Sequence, residues 1–350
     1  MRGRMPGVVV IAFLLSLAAG VVQAAAPLTL PEVLAIARAQ SAAVALADLD
    51  LEEARLAYEE GKADLVLHPS VTVQQQAESA WKAAQARREL ARRDLDMQVQ
   101  QAYYDVLRTQ MAEDLAQRAL KQAQAQLATT RVRHAQGMLS DVDLLTSESQ
   151  LATSEADLSR AQANRSNARM QLNRLMGRDL EAPFELTDEF AYEPLQVDLD
   201  RALASAEERR LELQRARDTL ALREKELSVS DPAFTPALAV QKARLAVERA
   251  KTELAEIRTS ILLEVRQNYQ AVKEGEARIP ILQKNLARAK ESLRITEARY
   301  NVGVITLTDL IEAQKTAFQA ETQVIQAVFD YNMALARFFK SAGGSTPDSR

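Results

Sequence analysis

The chain has 350 residues, 47% hydrophobic, 26% charged and only 5% aromatic, with a formal net charge of −4. Alanine, leucine, glutamine and arginine dominate, which is the composition of long helices and coiled coils and not of a deep globular core. The lack of cysteine excludes disulfides and thiol chemistry, two histidines (His68 and His134) are too few for a metal or catalytic cluster, and the mildly acidic balance argues against nucleic-acid binding.

Residues 1–24 read as a secretory signal peptide. Arg2 and Arg4 form a basic start, Val8 to Val22 an apolar run, and Val22-Gln23-Ala24 a small-residue cleavage site before Ala25. An uncleaved membrane anchor is the alternative, although the apolar run is shorter than the roughly 18 residues of a comfortable span. No cysteine follows, so lipoprotein processing is excluded. Loss of Arg2 and Arg4 takes the net charge from −4 to −6.

Leu30 to about Gly61 reads as one helical block, opened by Pro31 at a first helical position. Asp64 to Gln75 breaks the pattern with two short β-prone runs, Leu65-Val66-Leu67 and Val71-Thr72-Val73. A helical pattern free of proline and glycine then runs from about Gln76 to Ala135, about 90 Å at 1.5 Å per residue. A helix this long must lie along other helices. A second arm runs from Asp141 to Met176 and stops at Gly177.

Arg178 to Asp198 is irregular, with Pro183, Pro194, Phe184, Phe190 and Tyr192, and reads as a linker with a small packing role. Helix resumes from Leu199 to about Glu226. A second break, Ser228 to Ala239, carries Pro232 and Pro236. Another long helix leads to Val302, with a kink expected at Pro280. The last arm runs from Leu307 to about Ser341, and residues 344–350 read as a disordered tail.

The halves repeat. A shift of 166 lays Val99 on Val265, Tyr103 on Tyr269, Arg133 on Arg299, Gly137 on Gly303, Asp143 on Asp309 and Gly177 on Gly343. A shift of 169 lays Leu30 on Leu199 and Leu34 on Leu203. The expected division is a first repeat over 25–177, a linker over 178–198 and a second repeat over 199–343. Each repeat is a helical hairpin with a tight tip, at Gly137 and at Gly303. Those glycines can take the left-handed conformation that ends a helix. Ser140 and Thr306 follow as N-caps, with Asp143 and Asp309 three residues on, as in a capping box. The fold class is therefore all-α, two tandem hairpin repeats with two very short β-prone breaks. Both tips are expected at one end of the molecule, and both breaks at the other.

No convergent set of titratable groups points to an enzyme. Carboxylates are scattered along helix faces within reach of Arg or Lys three or four residues away. The densest basic patch, Arg87-Arg88 and Arg92-Arg93 flanked by Glu89, Asp94 and Asp96, reads as an interhelical ion-pair surface, with an anionic-ligand site as the alternative. Trp81 is an interfacial anchor or a packing residue, and Tyr103, Tyr104 and Tyr269 pack between helices. Asp309 and Glu312 share one helix face beyond the second tip. They are either helix-start acids favoured by the dipole or, repeated around an axis, an acidic ring that selects cations.

The tip pattern Tyr-x-x-Gly-x-x-Thr-x-x-Asp-Leu from Tyr300 to Leu310, its recurrence in both halves, the paired helix lengths and the export signal resemble the TolC-like outer-membrane efflux family. The resemblance implies the protomer of a homotrimeric α-barrel conduit. It would work with a periplasmic adaptor (membrane-fusion) protein and an inner-membrane pump, without cofactor, metal or catalysis. By the same resemblance Arg133, Gly137, Ser140, Arg299, Gly303 and Thr306 form the tips that meet the adaptor. Asp309 and Glu312 fall on the family's pore constriction, and Tyr300 and Asp143 on a bond that holds the closed state. The family's arginine in that network falls on Ile305, and its threonine on Val142. The family also inserts two long strands in each half. Each break here is about twelve residues, whereas one membrane-spanning strand takes about 9–11. Attachment to the outer membrane would run through this shortened β end. An exported coiled-coil scaffold of the cell envelope, without channel activity, is the rival reading.

Overall fold

The computed structural model describes residues 27–64, 71–187, 192–194, 196, 198–230 and 236–344. The expected signal peptide and the tail beyond Gly344 lie outside the described residues. So do Leu65-Val66-Leu67.

The chain folds into long helices. Strand β1, Pro27–Leu28, precedes helix α1, Leu30–Gln40. Helix α2 is Ala42–Asp64, α3 Val71–Ala135 and α4 Asp141–Leu175. Strand β2, Glu185–Leu186, lies in the linker. The second half gives α5, Leu199–Arg209, α6, Leu211–Ser228, α7, Ala237–Asn301, and α8, Leu307–Ser341. Helices α3 and α7 are both 65 residues long, about 98 Å each. Helices α4 and α8 are both 35 residues long.

Two expectations need correction. The block from Leu30 to Gly61 is two helices meeting at Ser41, whose extended backbone turns the chain by 49°. Its repeat mate Arg210 is extended in the same way between α5 and α6. Neither position carries proline or glycine; tertiary packing of α1 and α5 sets the bend. Second, Val71-Thr72-Val73 and Leu238-Ala239-Val240 open α3 and α7 and are helical, not extended. Among the described residues no strand lies beside them to offer a ladder, so the long helix absorbs them. The described strands lie elsewhere: β1 and β2 form a two-residue parallel pair, Pro27 opposite Glu185. Helix α7 runs through Pro280 as one helix, as the sequence pattern implied. Pro280 itself is exposed.

Helix neighbours fix the arrangement. Helix α3 lies against α4 and α7 against α8, and α3 lies against α8. Towards the tips the columns therefore run α4, α3, α8, α7. Towards the breaks α2 takes the place of α4 and α6 that of α8. There Arg215 of α6 reaches the Ala83 carbonyl of α3 at 3.4 Å. Both tips lie at one end, since the Arg133 guanidinium sits 5.1 Å over the Tyr300 ring.

The thickest packing is at the middle. In the first repeat Val33 and Ala37 of α1 meet Val99, Tyr103 and Val106 of α3 and Leu172 and Met176 at the end of α4. The second repeat matches it with Ala202, Ala206, Val265, Val272, Tyr331 and Phe338. Gly177 (φ +66°) and Gly343 (φ +75°) close these joints against Gln40 and Arg209. The linker joins the two cores. Phe184 is buried in the first, under the Arg169 guanidinium at 4.6 Å. Tyr192 stands edge-on to Tyr331 in the second, and the Tyr331 hydroxyl donates to the Glu193 carbonyl at 3.2 Å.

Candidate functional site

The two tips are built alike. At the first, Gly137 has φ +72° and the Met138 N–H returns to the Arg133 carbonyl at 2.9 Å. At the second, Gly303 has φ +77° and the Val304 N–H returns to the Arg299 carbonyl at 3.0 Å. Each is the six-to-one bond of a glycine-terminated helix. The next helix then opens on a reciprocal cap. The Ser140 hydroxyl accepts from the Asp143 N–H at 3.2 Å, and the Asp143 carboxylate accepts from the Ser140 N–H at 3.0 Å and hydroxyl at 2.7 Å. Thr306 and Asp309 repeat these three bonds at 3.2, 3.0 and 2.7 Å. In both cases the cap hydroxyl first, then the backbone N–H, holds the aspartate below its ordinary range.

The loops between helix and cap expose apolar side chains. Met138 is 71% exposed, Val302 74% and Val304 70%. Beneath them Tyr300, Leu307 and Leu310 form a small buried cluster, with Ile305 against it. Asp309 and Glu312 are both on the surface; among the described residues Lys315, at 4.0 Å, is the one cation beside Glu312. Among the described residues of one chain they form no cluster with other acids.

Tyr300 does not meet Asp143. Its buried hydroxyl accepts from Gln126 Nε2 of α3 at 3.2 Å, while the Asp143 carboxylate is taken by Ser140. The expected bond is thus absent in this conformation. Sequence reasoning missed Gln126, and with it a ladder of polar bonds between the hairpins. Gln122 Nε2 donates to Glu297 at 3.3 Å. Glu321, half-buried, receives Arg118 at 2.7 Å and Lys290 at 3.3 Å. Burial pushes the Glu321 carboxyl up, but these two cations outweigh it and its pKa lies below the ordinary value. Inside the first hairpin Thr130 and Ser147 share a buried bond of 3.0 Å. The only signal in the sequence was polar residues, Gln126 and Thr130, on the same helical face as Ala123 and Leu127. Their partners lie more than 170 residues away or across a turn.

The family model described as outer membrane efflux protein matches residues 69–178 and 236–344, more than half of the chain and one block per hairpin. The chain belongs to the outer membrane efflux protein family. It is a TolC-like efflux protein of the exported, outer-membrane and periplasmic class, and the channels of this family are conduits that catalyse no reaction. Among solved structures it resembles a membrane protein from Pseudomonas aeruginosa, with TM-score 0.75 and 17% identity over 92% of this chain and 91% of that one. It also resembles the CmeC outer membrane channel of Campylobacter jejuni, with TM-score 0.76 and 14% identity over 92% and 87%. The open state of the MtrE outer membrane channel of Neisseria gonorrhoeae gives TM-score 0.73 and 19% identity over 90% and 89%. At these identities the likeness shows the fold. No curated protein matches.

This efflux protein departs from a barrel-bearing design at one end. Six residues separate α2 from α3 and eight separate α6 from α7. A single membrane-crossing strand takes about 9–11 residues, so neither connection has room for two. Among the described residues β1 and β2, of two residues each, are the strands, and no single helix is long and apolar enough to cross a membrane.

Proposed function

We propose that three copies of the mature chain close edge to edge into a twelve-column α-helical tube. The tube carries small molecules or proteins outward from an inner-membrane pump through a periplasmic adaptor. One observation carries this reading. Among the described residues, the inner columns expose few large apolar side chains: α6 and α8 none, and α3 only Met111 and Val132. The outer columns expose more: Leu46, Leu49 and Leu56 of α2 and Val142 and Leu145 of α4 on one flank, Leu238, Leu245, Leu263, Ile281 and Ile295 of α7 on the other. Two different apolar flanks on one protomer are what a head-to-tail ring covers.

In the tube Arg133, Gly137, Ser140, Arg299, Gly303 and Thr306 shape the tips that engage the adaptor, and Met138, Val302 and Val304 supply apolar contact. Asp309 and Glu312 of three copies ring the axis as the constriction, with Asp143 and Tyr300 behind them as gate residues. Light scattering of the purified mature protein tests the assembly. Three times the protomer mass is expected, falling to one in a Leu49→Glu, Leu263→Glu double variant. A wild-type monomer, with and without detergent, overturns the tube.

A further inference from the structure

A cavity of about 720 Å³ opens where the two repeats meet at mid-height, between α1, α3, the α5–α6 bend and the end of α8. Five cations line it: Arg38, Arg92, Arg93, Arg209 and Lys340. Three of them are matched. Arg38 grips Asp96 through Nε and Nη2, both at 2.7 Å. Arg93 pairs with Glu89 at 3.0 Å, and Lys340 with Asp94 at 2.7 Å. Arg92 and Arg209 have no carboxylate within 4.0 Å among the described residues. Leu34, Met97, Leu211 and Ala336 form the apolar part of the wall, which weakens screening of the excess charge.

The repeat explains why Arg92 is left over. The 166 shift lays Arg92 on Arg258, and the 169 shift lays Arg38 on Glu207. In the second repeat Arg258 clasps Glu207 Oε1 at 2.9 and 2.6 Å. In the first repeat the acid of that pair is Arg38, which turns to Asp96 instead. A helix-to-helix ion pair has therefore become two cations, and Arg209 from the other repeat adds a third beside them.

We propose that this cavity binds a compact multivalent anion, a phosphate ester or a polycarboxylate, held between Arg92 and Arg209. Guanidinium forks suit such oxygens, and an anion there removes the like-charge repulsion across the cavity. Only an anion compact enough to enter the cavity and long enough to reach both guanidinium groups would do so, which also fastens the repeats together.

Calorimetric titration of the mature full-length protein at near-physiological salt tests the site, with inorganic pyrophosphate and citrate as probes. Binding by pyrophosphate alone identifies a phosphate source, and by citrate alone a carboxylate one. An Arg92→Gln, Arg209→Gln double variant is expected to bind about 10–100-fold more weakly. Both side chains are at least partly exposed, so the melting temperature without probe should not move. Arg87→Gln, an exposed arginine of the same helix outside the cavity, should bind like wild type. No binding of either probe, retained binding in the double variant, or equal loss in Arg87→Gln overturns the proposal.

Discussion

Four glycines have nearly the same positive φ, but alanine should not cost the same at each. At Gly137 and Gly303 a Cβ would meet nothing within 4 Å, so alanine there carries only the left-handed backbone penalty of about 1–2 kcal/mol. At Gly177 the same Cβ would sit 2.9 Å from Gln40 Cβ and 3.1 Å from its backbone oxygen, and at Gly343 2.9 Å from Arg209 Cβ. These neighbours are helix ends held by the two cores, so overpacking adds about 1–3 kcal/mol. Gly177→Ala and Gly343→Ala should thus destabilise by about 2–5 kcal/mol, and Gly137→Ala by about 1–2. At about 2–4 °C per kcal/mol for a chain of this size, thermal melts at one fixed protein concentration separate the two classes. Gly137→Asn should recover most of its loss, because asparagine visits the left-handed region. Equal melting losses for Gly137→Ala and Gly177→Ala would refute the claim that the mid-height joint is closed by backbone approach.

Ser140→Ala should cost about 1 kcal/mol by removing a cap, seen in the same melts. Asp143 and Asp309 are held below their ordinary range, so their contribution is present above the unfolded value and lost as pH falls through the folded one. The stability gap between wild type and an Asp143→Asn, Asp309→Asn variant should therefore shrink below about pH 4. Tyr300→Phe should cost about 0.5–1.5 kcal/mol, and Gln126→Leu in the same background should add only the loss of its longer bond to the Thr130 hydroxyl at 3.4 Å. A double-mutant cycle with no coupling would sever the bond between Tyr300 and Gln126.

Much of this fold is written in the sequence. The tips are legible because glycine, the cap hydroxyl and the aspartate lie within six residues of one another. The long helices are legible because α3 and α7 offer no breaker that their packing cannot absorb. The bends at Ser41 and Arg210 are not, since each depends on a core completed by residues over 50 positions away. The linker's role was half visible: Phe184 and Tyr192 marked packing, but only the fold shows that they enter different cores. Polar bonds such as Gln126 to Tyr300 are hidden for the same reason.

The repeat also separates architecture from task. Asp309 has a counterpart, Asp143, with the same three bonds, so its carboxylate already has a structural use at both tips. Glu312 has none. The shift of 166 lays it on Thr146, whose hydroxyl donates to the Val142 carbonyl at 2.7 Å. An acid present in one repeat alone, on the surface and outside the cap, is free to face a partner. If three copies ring an axis, Glu312 should therefore dominate the constriction, and Asp309 should mainly hold the helix start. Binding of hexaamminecobalt(III) to the purified trimer, followed by calorimetry, distinguishes the two. Glu312→Gln is expected to abolish most of the binding while leaving the melting temperature unchanged. Asp309→Asn is expected to lower the melting temperature and leave a larger share of the binding. If Glu312→Gln binds the trication like wild type, both acids are helix-start residues and the ring does not exist.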